Sequence, residues 1–135
     1  MKNLKLVLCF LFVTIVSNNC FSKDTTFYTY ATVVFEKDIN TGDIGKTLDS
    51  YYEIVKVTPK KECVIFDNFK NTQYDTLYNV IDHYNRTEND NFLDIYECTD
   101  KRGVVCFIYF RKTKEKIVSI QIHYTNAVFT FLVNN

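Results

Sequence analysis

The stretch from Ile117 to Val133 alternates with a period of two, and that alternation admits one kind of backbone: strand, with one face in a core. In Ile117-Val118-Ser119-Ile120-Gln121-Ile122-His123-Tyr124 the even positions are apolar, and the odd positions after Ile117 are polar. Beyond Thr125-Asn126 the odd positions carry Ala127, Phe129, Phe131 and Val133. A two-residue loop sets Tyr124 opposite Ala127, Ile122 opposite Phe129 and Ile120 opposite Phe131, so both apolar sets share one face. A slip of one residue would turn one whole set to water. Gln121 and Thr130 are expected on the solvent side.

Upstream, Val104–Phe110 is apolar on both faces and reads as a central strand, followed by the charged loop Arg111–Lys116. Pairing Phe110 with Val118 puts Ile108 opposite Ile120 and Cys106 opposite Ile122. Phe92–Thr99 precedes it, so four antiparallel strands form a meander over roughly residues 92–133. Earlier strands are predicted at Phe27–Lys37, Tyr51–Thr58 and Glu62–Asp67, the last two flanking a Pro59-Lys60-Lys61 turn. Residues 72–84 are ambiguous: Tyr74, Leu77, Tyr78 and Ile81 have helical spacing with Thr72 as a cap, yet the stretch holds β-branched and aromatic residues. An all-β neighbourhood favours strand. The expected fold is all-β, a single small antiparallel barrel or sandwich of seven to eight strands.

Composition narrows the class. The chain has 135 residues, 47% hydrophobic and 24% charged, with zero formal net charge, a balance that excludes disorder. It also removes the basic footprint expected of a nucleic-acid partner. Three glycines and one proline exclude collagen-like and low-complexity chains.

The first residues read as a secretory leader. Lys2 and Lys5 precede an apolar run, Leu6–Val16, too short to span a bilayer, and then Ser17-Asn18-Asn19. Cleavage after Ser22 fits Cys20 and Ser22 as the two small residues, and cleavage after Ser17 is the weaker alternative. Acylation of Cys20 to a lipoprotein is disfavoured by Asn19 before it. A domain of residues 23–135 is then secreted or periplasmic, with no stable membrane insertion. Its basic residues fall from 16 to 14 against 16 acidic ones, and its cysteines from five to three: Cys63, Cys98 and Cys106.

Cys98 and Cys106 flank a hairpin whose three-residue loop, Lys101-Arg102-Gly103, sets residue 100 against 104 and Cys98 against Cys106. Export permits a bridge between them, with Cys63 unpaired and buried; two touching thiols are the alternative. Other motifs carry less. Asn40–Thr47 ends like a phosphate-binding loop, but Asn40 stands where glycine belongs and a strand follows, so it reads as a polar loop with glycines at turn positions. His83 and His123 lack companions at metal-ligand spacing, and His123 falls on a polar strand face as a solvated histidine. Asp82-His83 imitates part of a triad with no nucleophile context. Asn89-Asp90-Asn91 with Asp94 lacks the calcium-loop pattern and reads as a solvated turn. Asn85-Arg86-Thr87 fits the glycosylation acceptor pattern. No catalytic, cofactor or metal residue is assigned, and no cofactor is expected.

The stretch Tyr51–Val133 resembles small exported proteins of unknown function from Bacteroidetes-type bacteria. The resemblance rests on Glu62-Cys-Val-Ile-Phe-Asp67, Gln73-Tyr74, Cys98-Thr-Asp-Lys-Arg-Gly-Val-Val-Cys106, the basic hairpin, and Ser119-Ile-Gln-Ile-His-Tyr124 running on to Val133. It implies a small β-barrel-like domain and brings no activity. The expected function is a non-enzymatic binding module for a protein or small ligand, at a barrel mouth or sheet face. The alternatives are an assembly protein pairing through edge strands, for which Phe27–Phe35 and Ala127–Val133 are the candidates, and, further off, a cell-surface polymer hydrolase.

Overall fold

The computed structural model describes residues 25–67, 76–114 and 116–134. The leader with its cleavage sites and Cys20, the Lys23 start, and the Thr72 to Tyr74 part of the ambiguous segment lie outside the described residues. Eight strands follow in order: β1 (Phe27–Lys37), β2 (Ile44–Pro59), β3 (Cys63–Asp67), β4 (Leu77–Glu88), β5 (Asn91–Thr99), β6 (Val105–Lys112), β7 (Ile117–His123) and β8 (Ala127–Val133). Each pairs antiparallel with the next, and β1 also pairs with β8, so one sheet closes into a ring. Leu77–Glu88 is strand, as the all-β neighbourhood favours. Phe27–Phe35 and Ala127–Val133 are no free edges, because they seal the ring against each other.

The alternating sets fill the interior. Val55, Val57, Val64, Phe66, Ile108, Phe110, Ile120, Ile122, Phe129 and Phe131 are all buried there. Each such side chain contributes about 1.5–3 kcal/mol by leaving water. The β7–β8 hairpin has the expected register, with Ile122 opposite Phe129, Ile120 opposite Phe131, and Tyr124 N–H donating to Ala127 O at 2.9 Å. Its outer face is drier than expected. Thr130 is buried and takes a hydrogen bond from Gln121 Nε2 at 3.2 Å, because Val33 and Tyr109 of the flanking strands cover the pair.

One register and one strand boundary differ from the sequence reading. Phe110 pairs with Ile120 and Ile108 with Ile122, a slip of two residues from the expected pairing. β6 runs on to Lys112, and Thr113 N–H closes the turn on Lys116 O at 2.9 Å, with a bulge between Arg111 and Lys112. A two-residue slip keeps every side chain on its face, so the core is unchanged. β2 begins at Ile44 rather than Tyr51. The phosphate-loop lookalike is therefore the tip of the β1–β2 hairpin, where Gly42 (φ 76°) makes the turn and Gly45 lies in the strand.

The antiparallel order fixes two ends. One carries the start of β1 and the β2–β3, β4–β5 and β6–β7 turns. The other carries the β1–β2, β5–β6 and β7–β8 turns.

Candidate functional site

The second end is closed by a buried carboxylate. Gly103, in the left-handed region (φ 79°), shapes the Lys101-Arg102-Gly103 loop as expected, with Asp100 N–H donating to Val104 O at 3.0 Å. Asp100 is 2% exposed and accepts from Arg102 Nη2 (2.7 Å), Arg102 N (2.9 Å), Val104 N (3.0 Å) and Tyr124 Oη (3.2 Å). With its one proton on Asp100, Tyr124 Oη is left to accept from the Tyr78 hydroxyl, 3.5 Å away. Burial pushes the Asp100 carboxyl up, but the Arg102 pair, the two N–H groups and Tyr124 outweigh it and hold the group below the usual range.

Cys98 and Cys106 lie directly opposite each other on this side of the interior, as the turn predicts, and both are fully buried. No disulfide joins them in this structure, where the expected bridge is not seen. Cys98 Sγ points along its own strand to Tyr96 O at 3.7 Å rather than across the pair. Cys63, expected buried, is half-buried: it alternates with inward Val64 and so falls on the outer face. Burial first, then Glu97 and Cys63, push the Cys98 thiol up to about 12. In native protein at pH 8, Cys63 should therefore alkylate first, and Cys98 and Cys106 only on unfolding; mass mapping of the modified sites checks this.

The first end is open. A pocket of about 390 Å³ is lined by Phe27, Tyr96, Phe110 and Ile117 as an apolar floor, with Lys60, Lys61, His83, Asp94 and Lys112 around it. The floor packs as a chain of rings: Phe27 on Phe110 at 5.8 Å and Tyr96 edge-on to Phe110 at 5.4 Å. His83 lies flat on Tyr96, centroids 4.0 Å apart and planes 8° from parallel. Its Nε2 is 2.6 Å from Asp94 Oδ1, and Lys112 Nζ donates to Asp94 Oδ2 at 3.3 Å. Burial, then Asp94, pushes the Tyr96 phenol up to about 12, so it stays a donor at neutral pH. A second hollow of about 350 Å³, lined by Asn85, Arg86, Thr87, Phe92 and Leu93, shares His83, Asp94 and Lys112 with the first. The two hollows adjoin at the His83–Asp94–Lys112 bridge.

Of the residues the sequence singles out, His83 and Asp94 meet here. Asp82 is not the carboxylate of that pair; its Oδ1 accepts the His83 backbone N–H at 2.8 Å. His123 is on the outer face but not solvated. Its ring stands edge-on to Tyr109 at 4.4 Å, and burial, then Lys37 and Arg111, bring it down to about 4. Asn89 and Asp90 (φ 48° and 63°) form the tight β4–β5 turn. No group of three or more His, Cys, Asp or Glu able to hold a metal occurs among the described residues. Sequence reasoning missed Tyr96, Phe110 and Lys112. The available signal was Asp94: it shares the inward parity of Tyr96 and Cys98, and a carboxylate on an inward set marks a mouth.

No protein-family model, no curated protein and no solved structure matches the chain.

Proposed function

We propose that the chain is an exported, non-enzymatic binding module that takes a small amphipathic anion at the open end of the ring. The observation that carries this reading is the cationic rim over an aromatic floor. Lys60, Lys61 and Lys112 stand around Phe27, Tyr96 and Phe110 with a single carboxylate, Asp94, which already faces Lys112 and His83. An apolar body would replace water on the rings while a carboxylate, sulfonate or phosphate meets the lysines. The volume of about 390 Å³ suits a small molecule, within the roughly 300–1,000 Å³ of such sites. The basic and apolar pattern of residues 1–22 supports export.

Anilinonaphthalene sulfonate, an aromatic anion, is the probe. Its fluorescence should rise saturably with one site per chain and fall on adding a fatty carboxylate. Lys61→Glu should weaken it about ten-fold, while Lys46→Glu on the distant β1–β2 hairpin leaves it unchanged. Added salt should weaken it too, since the rim is exposed. Absence of saturable binding, or equal binding by Lys61→Glu with unchanged circular dichroism, would overturn the reading.

A further inference from the structure

β3 is short, and this leaves part of β4 bare. β3 pairs with β4 only from Leu77 to Asn79, and Val80 N–H makes the last contact, to Glu62 O at 2.9 Å. From Ile81 to Glu88, β4 pairs with β5 alone, and no backbone bond reaches its other side among the described residues. Every residue of this stretch is exposed, Ile81 at 58% and Tyr84 at 42%. An uncovered edge of this length is a template for another strand.

The side chains along the edge say which strand fits. Tyr84 pairs with Ile95 and Arg86 with Leu93, and these β5 residues lie outside the core cluster. Asp82, Tyr84, Arg86 and Glu88 therefore share the outer face, while His83 stacks inward on Tyr96. Asp82 and Arg86 flank Tyr84 at equal distance. A second copy of β4, antiparallel about a two-fold axis through Tyr84, would set Asp82 against Arg86 twice, Tyr84 against Tyr84, and His83 against Asn85. Centring the pair on Asn85 instead would oppose Asp82 and Glu88, two carboxylates. The edge is self-complementary in one in-face register and repulsive in the next.

We infer that the occupant of the β4 edge is the β4 edge of a second copy of this chain. The edge is narrow, well below the roughly 1,600 Å² of a standard interface, so the dimer is weak and forms reversibly with concentration. On pairing, Asp82 gives up the His83 N–H that its Oδ1 now accepts and turns to the partner's guanidinium. This inference does not rest on the ligand reading.

Sedimentation equilibrium over a concentration series tests it. The protein should move from monomer to dimer. Asp82→Arg and Arg86→Asp, both on an exposed strand, should each weaken association about ten-fold or more, because each places like charges opposite one another twice. The doubly reversed chain should recover. Mixing the two single variants should give a heterodimer, since Arg at 82 then meets Asp at 86 and Arg86 meets Asp82. A wild-type protein that stays monomeric, a dimer indifferent to either reversal, or single variants that do not associate on mixing would each overturn the proposal. An unrelated extended peptide on this edge would leave the wild type monomeric and so counts against it.

Discussion

Asp100→Ala is expected to remove about 3 kcal/mol of stability, a large share of the roughly 5–15 kcal/mol that holds a domain of this size. The carboxylate is fully buried and accepts two backbone N–H groups, a guanidinium and a phenol. Breaking a buried charged pair costs about 3–5 kcal/mol, and the lower end applies because the Arg102 side chain is 56% exposed. Asp100→Asn keeps one oxygen for the turn N–H groups and loses the charge, so about 1–2 kcal/mol is expected. The pH dependence has a definite sign. The folded carboxyl sits below its ordinary 3.8, so its contribution is complete above the unfolded value and is lost as pH falls through the folded one. The stability gap between wild type and Asp100→Asn should be constant from about pH 7 to 5 and shrink below about pH 4. Urea unfolding followed by circular dichroism measures it. A gap that widens in acid would show that Asp100 is not the charged anchor of this end.

The sequence discloses what is local and periodic, and little of what depends on ring closure. The β7–β8 register is legible because turn length and alternation agree at Tyr124 and Ala127. The β5–β6 turn is legible because Gly103 alone supplies the left-handed residue. The β6–β7 register is not, since parity cannot detect a slip of two and Arg111–Lys116 carries no turn residue to pin it. The first half of β2 is silent for another reason: Ile44–Ser50 is exposed on both faces, so no burial pattern marks it. For the thiols the spacing fixes which residues oppose each other but not where each sulfur points, and Cys98 turns to Tyr96 O. The open end is the hardest to foresee. His83 meets a carboxylate eleven residues away rather than its neighbour Asp82, and Phe27 joins Phe110 only because β1 closes on β8. Lys112 reads as part of a charged loop until β6 extends to include it.

Ile122→Ala should cost about 4 kcal/mol and Gln121→Ala no more than about 1, and this contrast measures the sidedness from which the whole fold follows. Ile122 is fully buried between Ile108 on β6 and Phe129 on β8. Trimming it to alanine removes three carbons and leaves a void that neighbouring strands, tied on both sides into a closed ring, cannot collapse to fill. Such changes cost about 2–5 kcal/mol, and a rigid surround places this one in the upper half. Gln121, one residue earlier, faces outward and loses its half-buried bond to Thr130 Oγ1, its 3.2 Å contact with His123 Nε2 and some cover over Tyr109. Each such bond contributes about 0.5–1.5 kcal/mol net, and on this outer face water replaces much of both. Urea midpoints for the two variants, with slopes checked for constancy, give both values. Equal losses would mean that both faces of β7 are core, and that the ring closes over a second layer rather than around a single interior.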